Sequence, residues 1–168
     1  MAITGPATTA ARITSATRHP SPPAPPPTGI TGRSLIAQDN LRGALRQIER
    51  DGFRRLTRIV VRPERLDAGV VKGGRERDVD ITYEGVLARG AARPANAASP
   101  TFPLSSVDPA APARLVRGAA ERYRVKPKGI DYLVVSTNGS GGHQWVAYFK
   151  NGLYVLGDAE GRVVRKIS

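Results

Sequence analysis

His143 is the one histidine in the folded part of this chain and so its candidate imidazole base, because the other histidine, His19, lies in a proline-rich leader. Ser136, Ser140 and Asp158 are near it in sequence, which suggests a hydrolytic triad in which the imidazole takes the serine proton and a carboxylate orients the ring. That chemistry also needs the serine on a strained, exposed elbow of the Gly-x-Ser-x-Gly kind, and the chain has no such run. Ser140 falls instead in a glycine-rich connector, and His143 with Gln144 opens a β-prone run. The expectation is of no catalytic residue and no enzyme.

Gly139-Ser140-Gly141-Gly142 has the composition of a phosphate cradle. Such loops lead into a helix whose N-terminus holds the anion, whereas this one leads into a strand with no Gly-Lys-Ser/Thr behind it, so it reads as a hairpin loop whose tip is free to touch a partner. Asp78 and Asp80 sit two apart, a spacing that holds a hard cation if Glu84 joins them, but no calcium-loop spacing surrounds them. They read as a wet acidic strand face paired with Lys72, Arg75 or Arg65. The chain has no cysteine, which removes disulfides, thiolate zinc sites and iron–sulfur clusters together. No cofactor and no metal are expected.

What remains is binding chemistry. Arg42, Arg46 and Arg50 recur every four residues and Arg54, Arg55 and Arg58 follow at once, the types and density that meet phosphates, or else a solvated helix face paired with Glu49 and Asp51. Trp145, Tyr148, Phe149, Tyr154 and Tyr132 crowd the C-terminal strands; basic strands studded with aromatics stack bases, but apolar neighbours flank nearly all of these and no RNA-binding strand motif is present, so they read as packing. His143 and Trp145 are kept beside the six arginines as candidate partner-binding residues.

The charge is +12, from 26 Lys and Arg against 14 Asp and Glu. It is spread along the chain, with excesses of three, four and five in residues 1–38, 39–100 and 101–168. A spread excess steers the chain toward polyanions without giving specificity. Arginine outnumbers lysine 21 to 5, the skew that a GC-rich coding sequence leaves with no selection for nucleic acid. No stretch approaches the ~20 apolar residues that span a bilayer, and the first residues lack the apolar centre of a secretory signal.

The elements that must position these residues are legible. Residues 1–33 read as a disordered Pro-rich arm, extended through Pro20 to Pro27. A first helix over 38–50 carries Leu41, Ala44, Leu45 and Ile48 on one face, and strands follow at 56–61, 66–71 and 77–83. Residues 88–103 read as an Ala/Pro-rich crossing loop. A second helix starts from Asp108 as N-cap with Pro109 at its first position and stops before Pro127, and four strands follow at 130–136, 144–149, 153–156 and 163–167, with Asn151-Gly152 as a two-residue hairpin turn. At one offset of 74, Leu41 falls on Leu115, Leu45 on Ala119 and Ile59-Val60-Val61 on Leu133-Val134-Val135. The expected class is α+β, helices packed on antiparallel sheet, as two repeated units: αβββ over 34–87 and αββββ over 104–168.

Two segments carry a resemblance: Gly32-Arg33-Ser34-Leu35 running through Leu41 and Ile48 to Val61-Arg62-Pro63-Glu64-Arg65-Leu66-Asp67, and Val107-Asp108-Pro109 followed by Ile130-Asp131-Tyr132-Leu133-Val134. They resemble the soluble region of uncharacterised bacterial membrane-anchored envelope proteins, in which a membrane helix precedes a Pro/Gly-rich linker, and the likeness spans about four-fifths of the chain. It implies a tethered extracytoplasmic domain and a beginning that is truncated or misassigned, because no membrane helix precedes the linker; as written, the chain would be cytoplasmic. More loosely, tandem helix-plus-sheet units look like PepSY-type and β-lactamase-inhibitor-type domains, which bind or inhibit rather than catalyse. The expected function is a non-enzymatic binding or protein-interaction domain at the cell envelope, for a protein or polyanionic partner. The rival is a cytoplasmic nucleic-acid-binding protein using the arginine-rich helix face.

Overall fold

Turn formers divide the β-branched runs of this chain into short strands, and two amphipathic stretches fold as helices against them. The computed structural model describes residues 32–82, 85, 87–96, 98–138 and 142–167. The proline-rich arm up to residue 31, Tyr83, Glu84 and the glycine-rich tip 139–141 lie outside the described residues.

Helix α1 (Gln38–Arg50) has the bounds that its apolar period predicts and buries Leu41, Ala44, Leu45 and Ile48. Asp51-Gly52 ends it as a Schellman turn: Phe53 N–H donates to Ile48 O at 3.3 Å, Gly52 N–H to Glu49 O at 2.9 Å, and Gly52 takes φ +82°. Helix α2 (Ala111–Tyr123) begins later than its sequence signal. The reason is local: Asp108 Oδ1 accepts the N–H of Ala110, two residues on, at 2.8 Å. This is an Asx turn, so the carboxylate shapes the approach to the helix instead of capping its first donors.

Strands β1 (Arg55–Val61), β2 (Arg65–Lys72), β3 (Arg75–Thr82) and β4 (Leu87–Arg89) follow α1. Two-residue strands β5 (Arg93–Pro94) and β6 (Phe102–Pro103) precede α2, and β7 (Ile130–Thr137), β8 (His143–Phe149), β9 (Tyr154–Gly157) and β10 (Val163–Ile167) complete the chain. The protein is α+β, with two helices and one large antiparallel sheet ordered β10-β9-β8-β7-β1-β2-β3-β4. Three short stretches of 88–103, expected as a loop, lie against neighbouring strands and borrow their backbone partners: Ala88 pairs with Asp80, Arg93 with Glu76 and Phe102 with Leu56. The helix–strand segment before them therefore carries a fourth strand, where three were expected. The hairpin after β8 is also wider than Asn151-Gly152 suggests. Its loop is Lys150-Asn151-Gly152, closed by Gly152 N–H to Phe149 O at 2.9 Å, with Gly152 in the left-handed region at φ +82°.

The centre of the sheet is the β1–β7 junction, where Ile59 faces Val135, Val60 faces Val134 and Val61 faces Leu133. Alternate residues on either side of it, among them Leu56, Ile59, Leu66, Val79, Leu133, Val135, Trp145 and Val155, are buried in one continuous core with both helices. Gly157 lets α2 approach: a Cβ there would lie 2.8 Å from Leu115. Among the described residues no helix is long and apolar enough to cross a membrane.

Candidate functional site

Both helices lie on one face of the sheet, and strand pleating sends every second residue to the other. On β7, β8 and β9 those outward residues include Tyr132, Val134, Val146, Tyr148, Tyr154 and Leu156. The registers align them into rows across the strands: Tyr132 faces Tyr148 and Tyr148 faces Tyr154, while Val134 faces Val146 and Val146 faces Leu156. The Tyr132 and Tyr148 rings stack at 4.4 Å between centroids and 16° between planes, Tyr154 tilts against Tyr148 at 4.8 Å and 55°, and the Arg62 guanidinium covers Tyr132 at 5.4 Å. These separations match the spacing of the strands, so Tyr132 and Tyr148 stand face to face while Tyr154 leans against Tyr148. Tyr132 and Tyr148 cover each other, and Tyr154 at the end of the row is exposed. What they offer outward is edges and hydroxyls, and burial followed by the neighbouring Tyr132 and Tyr154 pushes the Tyr148 hydroxyl above the usual tyrosine range.

The other half of this face is charged and internally paired. A β-bulge between Leu56 and Arg58 turns Thr57 and Arg58 to the same side, where they cross Gly69. A Cβ on Gly69 would meet Thr57 Oγ1 at 2.2 Å and Arg58 Cγ at 3.5 Å, so only glycine leaves both paths open. Thr57 Oγ1 donates to Glu76 Oε1 at 2.9 Å and Arg58 Nη2 to Asp78 Oδ1 at 3.0 Å, and Arg93 adds contacts to Asp78 at 3.0 Å and Glu76 at 3.5 Å. Arg62 and Arg65 both pair with Asp67. Lys72 and Arg75, expected opposite these acids, point to the helix side of the sheet because β-pairing places them in line with buried Val70 and Val79. Arg65 does face the acidic side, with Asp67 as its partner.

Asp67 and Asp80 stand directly opposite on β2 and β3. The hydrogen bond with Asp67, then burial, then the charge of Asp67 hold the Asp80 carboxyl above its ordinary value of 3.8, against a smaller pull from Arg65. A carboxyl raised in the native state stabilises the fold in acid, and that contribution is lost as pH rises through the raised value. Asp80→Asn should therefore raise stability at pH 7 by roughly 0.5 kcal/mol, discounted for solvent screening, and the gain should vanish near pH 3. Urea titrations at the two pH values check this, and an equal effect at both would refute the carboxyl pair.

The eight residues singled out from sequence do not form one surface. Arg42, Arg46 and Arg50 are on the solvent side of α1, with Arg42 paired to Asp39 at 2.7 Å. Arg54 pairs with Glu49 at 2.9 Å, while Arg55, donating to Thr101 Oγ1 at 2.8 Å, and Arg58, with Asp78, are on the open face of the sheet. Trp145 is fully buried and donates from Nε1 to Ala159 O at 3.3 Å. His143 is 6% exposed, stacked on Phe102 at 5.3 Å, with Ser106 Oγ 3.4 Å from Nδ1 and no partner for Nε2. Desolvation lowers its pKa against a weaker opposing pull from Glu160, which favours the neutral ring. Ser136, facing Gln144 on the open side, and His143, facing Thr137 on the helix side, are on opposite faces of the sheet.

No protein family, curated protein or solved structure matches the chain. What it does must follow from this geometry. Among the described residues no three His, Asp or Glu side chains converge as a metal site requires. The open face offers tyrosine hydroxyls, ring edges, a strip of valine and leucine, and ion pairs already closed on themselves.

Proposed function

We propose that the chain is a non-enzymatic protein-binding domain whose uncovered sheet face is the contact surface, held at the cell envelope by the proline-rich arm. One observation carries this reading: the ladder of Tyr132, Tyr148 and Tyr154 lies on the face that neither helix covers, beside Val134, Val146 and Leu156. Tyrosine combines large contact area with a polar tip and few rotatable bonds, and is enriched in protein interfaces for that reason. A protein partner also suits the charge. On this face Arg58, Arg62, Arg65 and Arg93 stand among Asp67, Glu76, Asp78 and Asp80, so most of the positive charge of the chain resides elsewhere.

The rival reading, phosphate binding by the six arginines, has less support because those side chains divide between the two faces of the sheet and four of them already have partners. Base stacking on the tyrosines has less support still, since Tyr132 and Tyr148 are stacked on each other and Arg62 stands over Tyr132. The finer architecture we propose is a duplicated helix-plus-meander unit. The offset of 74 maps Ile59, Val60 and Val61 onto Leu133, Val134 and Val135, and the central register pairs each residue with the mate that a two-fold through Val60 and Val134 demands.

A photo-crosslinking amino acid at position 154, with one at Arg46 on α1 as control, tests the contact surface in the native host. The expected result is a discrete protein adduct from position 154, abolished by Tyr148→Ala, in the envelope fraction. Adducts from position 46 alone, or adducts to nucleic acid, would reject the proposal.

A further inference from the structure

The sheet is wider than the helix layer. Where α1 stops at its Schellman turn, the helix-side face of β2, β3 and β4 continues uncovered, and cations stand there in place of aliphatic residues. Lys72 pairs with Arg75, Val70 with Arg77 and Val79 with Arg89, which puts all four basic residues in line with the buried valines. With Asp51 and Phe53 they line a cavity of about 330 Å³, within the range of small-molecule sites.

Among the described residues that line it, one carboxylate answers four cations. Asp51 Oδ2 lies 2.5 Å from Arg89 Nη2 yet is buried without an aligned hydrogen bond. The Lys72 ammonium stands 5.9 Å over the Phe53 ring, and Arg75 donates to Ala92 O at 2.9 Å. The side chain of Arg77, half-buried, has no ion pair or hydrogen bond among the described residues. Like charges converging on a concave, partly desolvated space focus a positive potential that concentrates anions there. Guanidinium forks match phosphate oxygens two at a time. Strand spacing spreads the four cations over roughly 10 Å, the reach of several linked phosphates and too wide for one.

We propose that this cavity binds a small polyphosphate anion, a di- or triphosphate, with Arg75, Arg77, Arg89 and Lys72 on its oxygens. The site is separate from the tyrosine face and stands whether or not that face binds a protein.

Calorimetric titration of the full 168-residue chain with inorganic triphosphate at physiological salt tests it. One saturable site is expected, at least tenfold tighter for triphosphate than for orthophosphate or citrate. Arg75→Gln and Arg77→Gln should each weaken binding at least tenfold, and Arg46→Gln on α1 should leave it unchanged. Asp51→Asn should tighten it several-fold, because it removes the opposing carboxylate; a merely structural residue would not produce a gain. Arg75 is exposed, so its variant keeps the test intact if Arg77→Gln fails to fold. Absence of a saturable heat, an equal loss in Arg46→Gln, citrate binding as tightly as triphosphate, or oligothymidylate binding more tightly than either would overturn the proposal.

Discussion

Trp145→Ala should lower the unfolding free energy by about 3–5 kcal/mol, the range for truncating a buried tryptophan. The indole is fully buried on the helix side of β8, under the turn that joins β9 to β10, and its Nε1–H meets Ala159 O in that turn at 3.3 Å. Alanine would leave a void bounded by packed strands on one side and a tethered loop on the other, and neither can collapse into it cheaply. Trp145→Phe separates the two contributions: it keeps most of the volume, loses the hydrogen bond and should cost about 1–2 kcal/mol. Urea unfolding followed by far-UV circular dichroism reads both. If Trp145→Ala lost less than 1 kcal/mol while weakening partner capture, the residue would belong to a binding surface after all.

Gly161→Ala should cost about 3 kcal/mol or more, unusually much for adding one methyl group. Gly161 has φ +79°, and a Cβ built on it would lie 2.1 Å from Ala111 O and 2.7 Å from Ala111 C and Cα. The obstacle is backbone at the first turn of α2, which cannot swing aside as a side-chain tip can. Moving the turn away would also break the Arg114 Nε–H to Glu160 O bond of 2.7 Å and uncover Trp145. Gly152→Ala supplies the control, because its φ is +82° with nothing within 4 Å of the added methyl. It carries only the conformational strain, about 1 kcal/mol. The difference between the two melting transitions isolates the clash, and equal losses would refute it.

How far the fold was legible depended on whether a signal was local. Helix α1 matched its expected bounds because both its period and its Asp51-Gly52 stop are written within one run. Asp108 misled because the same carboxylate that caps a helix also makes an Asx turn, and the choice depends on backbone two residues on. The edge strands in residues 88–103 have almost no β-branched residues; they exist because the sheet beside them has partners to lend. The tyrosine ladder was visible as three residue types and invisible as a row, since register across β7, β8 and β9 is a non-local fact. Trp145 looked like a contact residue for a related reason. Alternation tells which residues share a face of β8, and only the position of the helices tells which face is inside. The arginines of 42–58 are close in sequence, yet a turn and a bulge send them to different surfaces.

The pairing of β1 with β7 has a consequence for synthesis. On the duplication proposed above, β1 has, until β7 exists, an alternative mate in the β1 of a neighbouring chain. β1 emerges from the ribosome well before β7, and at about 5–20 residues per second the gap of some 70 residues lasts roughly 4–15 s. During that interval two nascent chains on one message present each other with the same bare edge, flanked by Ile59 and Val61. The junction that unites the finished sheet is thus also where unfinished molecules would exchange strands.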